Sequence, residues 1–253
     1  MKRIAKGNAP DFWVSFIRRH PNCAYKDLDH IKGGPEVRSQ LRTHLACEQG
    51  NICCYCCGQL SPEKSHNEHI KPESVYTRLT MDYNNIIVSC TQKLHCDNSS
   101  CGMQKDNDFN EQLFVSPLED DCATHFVFNR DGSIDSDTDR GKYTINLLRL
   151  HESTSLKANR KSQFEAVYNS CSGWIRDACE DITSETGDDY EAAKEMYQDF
   201  FADEIIPTYF SDTDGQLPAY IDMLEYFRGH GRFDFDSIVD DLKCLGDLNF
   251  DED

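Results

Sequence analysis

The sequence predicts an α+β protein: a small cysteine-rich unit with two short strands, embedded in a mostly helical chain. Two observations carry this. Seven of the 13 cysteines crowd into positions 53–101 of the 253 residues, in a stretch whose Asn and Pro content disfavours long regular elements. On either side, apolar residues recur at helical spacing. The length suits one or two domains with a substantial core.

Residues 1–50 read as two helical pieces. Asp11 is placed to cap D-F-W-V-S-F-I-R-R-H, whose Phe12, Trp13 and Phe16 share one side. After the Gly33-Gly34-Pro35 break, Val37, Leu41 and Leu45 recur at i, i+4 and i+8, and Gly50 is a natural helix stop. Residues 51–110 form the cysteine-rich unit, with short strands expected near Ile70 and over Ile86–Ser89. Residues 111–253 open with a small hairpin, Thr124–Asp135, turning at Asp131-Gly132. Helices follow: one from about residue 140, a long one over Ser153–Thr183, a third over Asp188–Ile206 stopped by Pro207, and a fourth over Pro218–Arg228 stopped by Gly229. The tail beyond Gly231 alternates acids with Phe233, Phe235, Ile238, Leu242, Leu245 and Leu248. It reads as a last helix on the core or, alternatively, as a partner-binding peptide.

The cysteine count is odd and locally concentrated, unlike a secreted disulfide scaffold. The start, M-K-R-I-A-K-G-N-A-P-D, lacks the apolar run of a signal peptide, and no stretch approaches the ~20 apolar residues of a membrane span. The expectation is a reducing cytoplasm, with thiolates committed to metal.

Charge is unevenly distributed. Residues 1–110 hold 14 Lys/Arg against 12 Asp/Glu, a net of +2, whereas residues 111–253 hold 12 against 33, a net of -21. Nucleic-acid binding draws on basic surface, so the C-terminal half should repel DNA and is suited to a basic partner.

Within the cysteine-rich unit, C-C-Y-C-C at 53–57 contains two overlapping C-x-x-C frames, Cys53/Cys56 and Cys54/Cys57, and spacing does not choose between them. Cys90, Cys96 and Cys101 supply the downstream sulfurs. Two close pairs of thiolates can close a tetrahedral Zn²⁺ site with no open position, which is a structural role. Between the clusters stands Glu68-His69-Ile70-Lys71-Pro72. A neutral imidazole can take a proton from an attacking water, and a carboxylate can hold Mg²⁺ or Mn²⁺ near a phosphate. On an extended segment the two side chains point to opposite sides.

These residues resemble the HNH (ββα-metal) nuclease module, whose pattern runs C-x-x-C, D/E-H-I-x-P, N-L-x-x-x-C and C-N-x-x-K. Asn85 stands five residues before Cys90, and Lys105 four after Cys101. Upstream, M-K-R-I-A-K, A-Y-K-D-L and L-R-x-x-L-A-C-E-Q-G-N-I-C-C-Y-C are similar to PtuB-type HNH proteins, as are the later T-I-N-L-L-R-L and L-K-A-N-R. Such proteins accompany the ATPase PtuA in Septu and some retron anti-phage systems. The resemblance covers roughly residues 1–165 and is specific around 49–107.

It implies a DNA endonuclease with His69 as general base, Glu68 as ligand of the catalytic Mg²⁺ or Mn²⁺, Asn85 bracing the loop that aims His69, and Lys105 touching a phosphate. It also implies Cys53, Cys56, Cys90 and Cys101 as zinc ligands, with Cys54, Cys57 and Cys96 as alternates. Its implied partners are a PtuA-type ATPase, DNA and a retron reverse transcriptase with its RNA–DNA product; self-association of the chain is a separate expectation. The pattern breaks at Gly102, where the family carries a metal-ligating Asn or His. Asn107 is the first candidate substitute, with Asp97 and Asn98 next. His66 is also within reach in sequence, although a His two residues from Glu68 reads more readily as a surface residue. The competing functional class is a zinc-ribbon binding module that recognises nucleic acid or protein without cutting. Gly102 and the net charge of -19 favour that class. Glu68-His69 at its distance from Asn85 favours the enzyme, since a zinc ribbon needs neither acid nor base.

Overall fold

The computed structural model describes residues 1–91, 100–105, 109–179 and 188–248. Helix α1 (Asp11–Arg19) starts from an extended Pro10 with no side-chain cap, so Asp11 is its first residue and not its cap. The carboxylate there faces the positive end of the helix dipole. Helix α2 (Gly34–Glu48) buries Val37, Leu41 and Leu45, and Gly50 follows it at φ +66°. Trp13, Phe16, Leu28, Leu41 and Leu45 form one core with Ile86 and Val88. The amino-terminal helices are therefore the floor on which the cysteine-rich unit sits.

That unit is built on two antiparallel strands, β1 (Ser65–His69) and β2 (Ile86–Cys90), in register from Ser65 opposite Cys90 to His69 opposite Ile86. The short helix α3 (Gly102–Lys105) follows. Its first amide, Gly102 N–H, donates to Ser89 Oγ at 3.1 Å, which ties it to β2. Buried Gln49 joins α2 to the unit: its amide nitrogen donates to the Ile52 and Val88 carbonyls, and its oxygen accepts from Val88 N–H.

Beyond the unit, β3 (Val127–Phe128) and β4 (Ile134–Asp135) make the small hairpin. The helices α4 (Asp139–Leu148), α5 (Thr154–Cys179) and α6 (Asp188–Phe200) follow. The expected stop at Pro207 is corrected. A π-helical turn, Phe201–Ile205, leads into α7 (Ile206–Tyr209), and Pro207 falls in the first turn of α7. The wider turn accommodates a residue that cannot donate a backbone N–H, so the helical path continues. Helix α8 (Ile221–Gly229) precedes α9 (Phe235–Leu245). The tail is thus a last helix on the core, burying Phe235, Ile238, Val239 and Leu242 and packing on α5 and α6.

Packing runs across the expected segment boundaries. Cys53, Ile87 and Cys101 share one apolar core with Phe164, Val167, Tyr220 and Leu224. Tyr220 N–H donates to Cys57 O at 2.8 Å, and Leu217 N–H to Gly50 O at 2.9 Å. No helix among the described residues is long and apolar enough to cross a membrane.

Candidate active site

The first knuckle is a tight turn. Cys57 N–H donates to Cys53 O, Cys53 N–H donates to Gly58 O, and Cys57 adopts φ +56°. This turn aims the buried thiols of Cys53 and Cys56 at Cys90, the last residue of β2, and at Cys101, just before α3. All four sulfurs lie within 4.8 Å of one another, and Cys56 Sγ is 3.8 Å from Cys90 Sγ. Sulfurs bound tetrahedrally at ~2.3 Å from one Zn²⁺ stand roughly 3.8 Å apart, so this group can hold that ion. Cys90 N–H further donates to Cys53 Sγ at 3.4 Å.

Cys54 and Cys57 are buried as well but lie outside the group. Burial pushes both thiols well up, joined by the neighbouring Cys53 thiol at Cys54 and by the Asp222 charge at Cys57. Burial also opposes ionisation of Cys53, yet the neighbouring Cys101, Cys54, Cys56 and Cys90 thiols outweigh it and hold Cys53 well below its ordinary value. Cys96 lies outside the described residues, as do Asn107, Asp97 and Asn98.

Strand β1 sends alternate side chains to two opposite faces by its period-2 geometry. On one face, Asn67 donates to Tyr25 Oη at 2.7 Å and the His69 ring packs edge-on to Tyr25, with centroids 4.7 Å apart. His69 Nε2 lies 2.9 Å from Thr80 O. A carbonyl only accepts, so Nε2 carries the ring proton and Nδ1 keeps the lone pair. Asn85 holds the loop that supplies this carbonyl. Its Oδ1 accepts from Lys71 N–H at 2.8 Å, and its Nδ2 donates to Lys71 O and Leu79 O.

On the other face Glu68 is buried. Its Oε1 accepts from Tyr55 Oη at 3.1 Å and pairs with Lys105 Nζ at 2.9 Å. Its Oε2 faces His66 Nε2 at 3.2 Å. Burial pushes the Glu68 carboxyl up, but the His66 contact and the Lys105 charge overcome it, so the net displacement is downward. Burial and the Glu68 charge drive the Tyr55 phenol well up, so it stays a donor.

Lys105, expected to touch a phosphate, also directs its charge into this face. The side chain is almost wholly enclosed, and besides Glu68 its ammonium donates to His69 O at 2.7 Å and Ile70 O at 3.2 Å. It faces protein on these sides, and its contacts are those of a group that positions Glu68 and His69. Gly102 sits directly over this face: a Cβ there would lie 2.5 Å from Glu68 Oε2 and 2.9 Å from His66 Nε2. The sequence alone does not single out Tyr55, Thr80 or Gln49. The aromatic between two metal-type cysteines was the available signal for Tyr55, whereas a backbone carbonyl such as that of Thr80 leaves none.

No family profile matches the chain. Over 141 residues it is 31% identical to a protein of Vibrio cholerae serotype O1 biovar El Tor named as a candidate HNH endonuclease of retron Vc95; the alignment covers 52% of this chain and 66% of that protein. The chain thus spans slightly less than two thirds of the relative's length. The similarity is thus to a protein named for an HNH nuclease of a retron, over about half of this chain.

Proposed function

We propose that the chain is a divalent-metal-dependent HNH DNA endonuclease, the effector of an anti-phage defence system that works with an ATPase. One observation carries the reading. The His69 ring is pinned through Nε2 by Thr80 O, beside a buried carboxylate whose Oε2 is left free of the Lys105 and Tyr55 contacts on Oε1. A zinc ribbon needs neither arrangement. In this reading His69 Nδ1 takes the proton of the water that attacks phosphorus, a contribution typically worth ~10²–10⁴-fold. Asn85 holds the loop that fixes the ring, and Lys105 and Tyr55 hold Glu68. A hard divalent ion at Glu68 would stabilise charge on the phosphate and leaving oxygens. Zinc on Cys53, Cys56, Cys90 and Cys101 would tie the knuckle to β2 and α3 and leave no position for water.

The net of -21 over residues 111–253 makes the chain a poor DNA binder unaided. A PtuA-type ATPase supplying grip and control fits that charge, and the retron relative supports a defence setting. The test is cleavage of plasmid DNA by the purified chain, with and without the co-expressed ATPase, in EDTA, Mg²⁺ or Mn²⁺. Cation-dependent cutting by the chain or the complex is the expected result. Binding without cutting under every condition would instead favour the zinc-ribbon module, the reading that Gly102 and the acidic charge support.

A further inference from the structure

We propose that His66 is the second protein ligand of the catalytic cation, in the place where residue 102 has no side chain to offer. The inference rests on the metal-nuclease reading above and adds the composition of its site. Residues 66 and 68 point to the same face of β1, and there His66 Nε2 and Glu68 Oε2 stand 3.2 Å apart. Two adjacent ligand atoms of an octahedral ion bound at ~2.1 Å are separated by roughly 3 Å.

Both atoms converge on the space above Gly102. The distances to a hypothetical Cβ there, 2.5 Å from Glu68 Oε2 and 2.9 Å from His66 Nε2, show that any larger residue would displace one of them. Glycine at this position therefore leaves the imidazole room to approach the carboxylate. Lys105 and Tyr55 take up Oε1 and leave Oε2 facing the imidazole. The ring has no competing anchor among the described residues, because its buried Nδ1 has no hydrogen-bond partner there.

One carboxylate oxygen and one imidazole nitrogen make a mixed site. Nitrogen ligation favours later first-row ions over Mg²⁺, so Mn²⁺ binds more tightly than Mg²⁺. The cation's remaining positions are left to water and phosphate oxygens.

The experiment is Mn²⁺ titration of the full-length, zinc-loaded chain by calorimetry, together with pulsed electron paramagnetic resonance of the bound Mn²⁺, on wild type and His66→Gln. Zinc content reports whether the variant is folded. Wild type should show a ¹⁴N coupling from imidazole that His66→Gln loses. Affinity should fall at least about 10–100-fold, the penalty that changes in outer-shell partners already carry. A coupling that persists in His66→Gln would mean that His69 ligates, and would overturn the proposal. Bound Mn²⁺ without nitrogen coupling in wild type would overturn it too, pointing to an oxygen donor such as Asn107 while leaving the nuclease reading intact. Failure of wild type to bind Mn²⁺ at all would overturn both. The wild-type spectrum decides the matter even if the variant does not fold.

Discussion

Lys105 and Glu68 form a buried ion pair, Nζ 2.9 Å from Oε1, with both side chains nearly enclosed. The same ammonium donates to the His69 and Ile70 carbonyls, so one cation from α3 anchors the carboxylate and the backbone on either side of the candidate base. Breaking a buried pair on one side typically costs about 3–5 kcal/mol, and Lys105→Met should lose stability on that scale in urea unfolding.

The same variant should invert a pH dependence. In wild type the Glu68 carboxyl is held below its ordinary value. It therefore contributes stability that is present above the unfolded value of ~4.3 and lost as pH falls through the lower folded one. Without Lys105, burial becomes the dominant influence and the folded value should rise. The variant's deficit relative to wild type should then be larger at pH 7 than at pH 4.5, as unfolding free energies at the two pH values will show. A deficit that does not change with pH would mean that Glu68 is not coupled to Lys105.

Asn85→Ala should reduce cleavage without disturbing the four-cysteine group. Its side chain closes on Lys71 N–H, Lys71 O and Leu79 O, next to the Thr80 carbonyl that holds His69. Misplacing a reacting group by ~1 Å can cost ~10²-fold, so the loss should appear mainly in kcat. Steady-state kinetics of the assembled enzyme, with zinc measured in parallel, is the check.

Zinc analysis separates the two cysteine frames. Cys54→Ser and Cys57→Ser should keep about one zinc per chain, whereas Cys56→Ser and Cys90→Ser should lose it together with much of the folding free energy that binding supplies. Elemental analysis of soluble protein reads this directly. Retention of full zinc by Cys56→Ser would reassign the ligands.

Removing residues 207–253 should unfold the cysteine-rich unit. The deletion takes away Tyr220 and Leu217, which bond to Cys57 O and Gly50 O, and strips Ile221, Met223 and Leu224 from the shared core. The truncated chain should lose zinc and its cooperative thermal transition. A folded, zinc-bound truncation would show that the segments are independent.

Much of this fold was legible because the deciding patterns are local. Thiol spacing pointed to the knuckle, and the i, i+4, i+8 run of Val37, Leu41 and Leu45 gave the buried face of α2. The i, i+3, i+7 spacing of Phe235, Ile238 and Leu242 fits a last helix, whereas Asn85 is marked only by the resemblance to the family pattern. What stayed hidden depends on contacts between distant segments. Lys105 is marked by its place in the family pattern, but its contacts with Glu68 and the β1 backbone follow only from the fold. His66 reads as a surface residue until Gly102 is found opposite it. Pro207 reads as a stop because a single sequence does not show a π-helical turn absorbing it. The continuity of the core across residues 50 and 110 likewise follows from tertiary packing and not from composition.

The most direct test of His69 as the base is single-turnover DNA cleavage by His69→Ala, co-expressed with the proposed ATPase and supplied with Mn²⁺, beside wild type. With Nε2 held by Thr80 and Nδ1 left to accept a proton, a loss of ~10²–10⁴-fold in the cleavage rate is expected, with zinc content and Mn²⁺ affinity unchanged. Cleavage at the wild-type rate would contradict it, because the ring would then have no part in activating the attacking water.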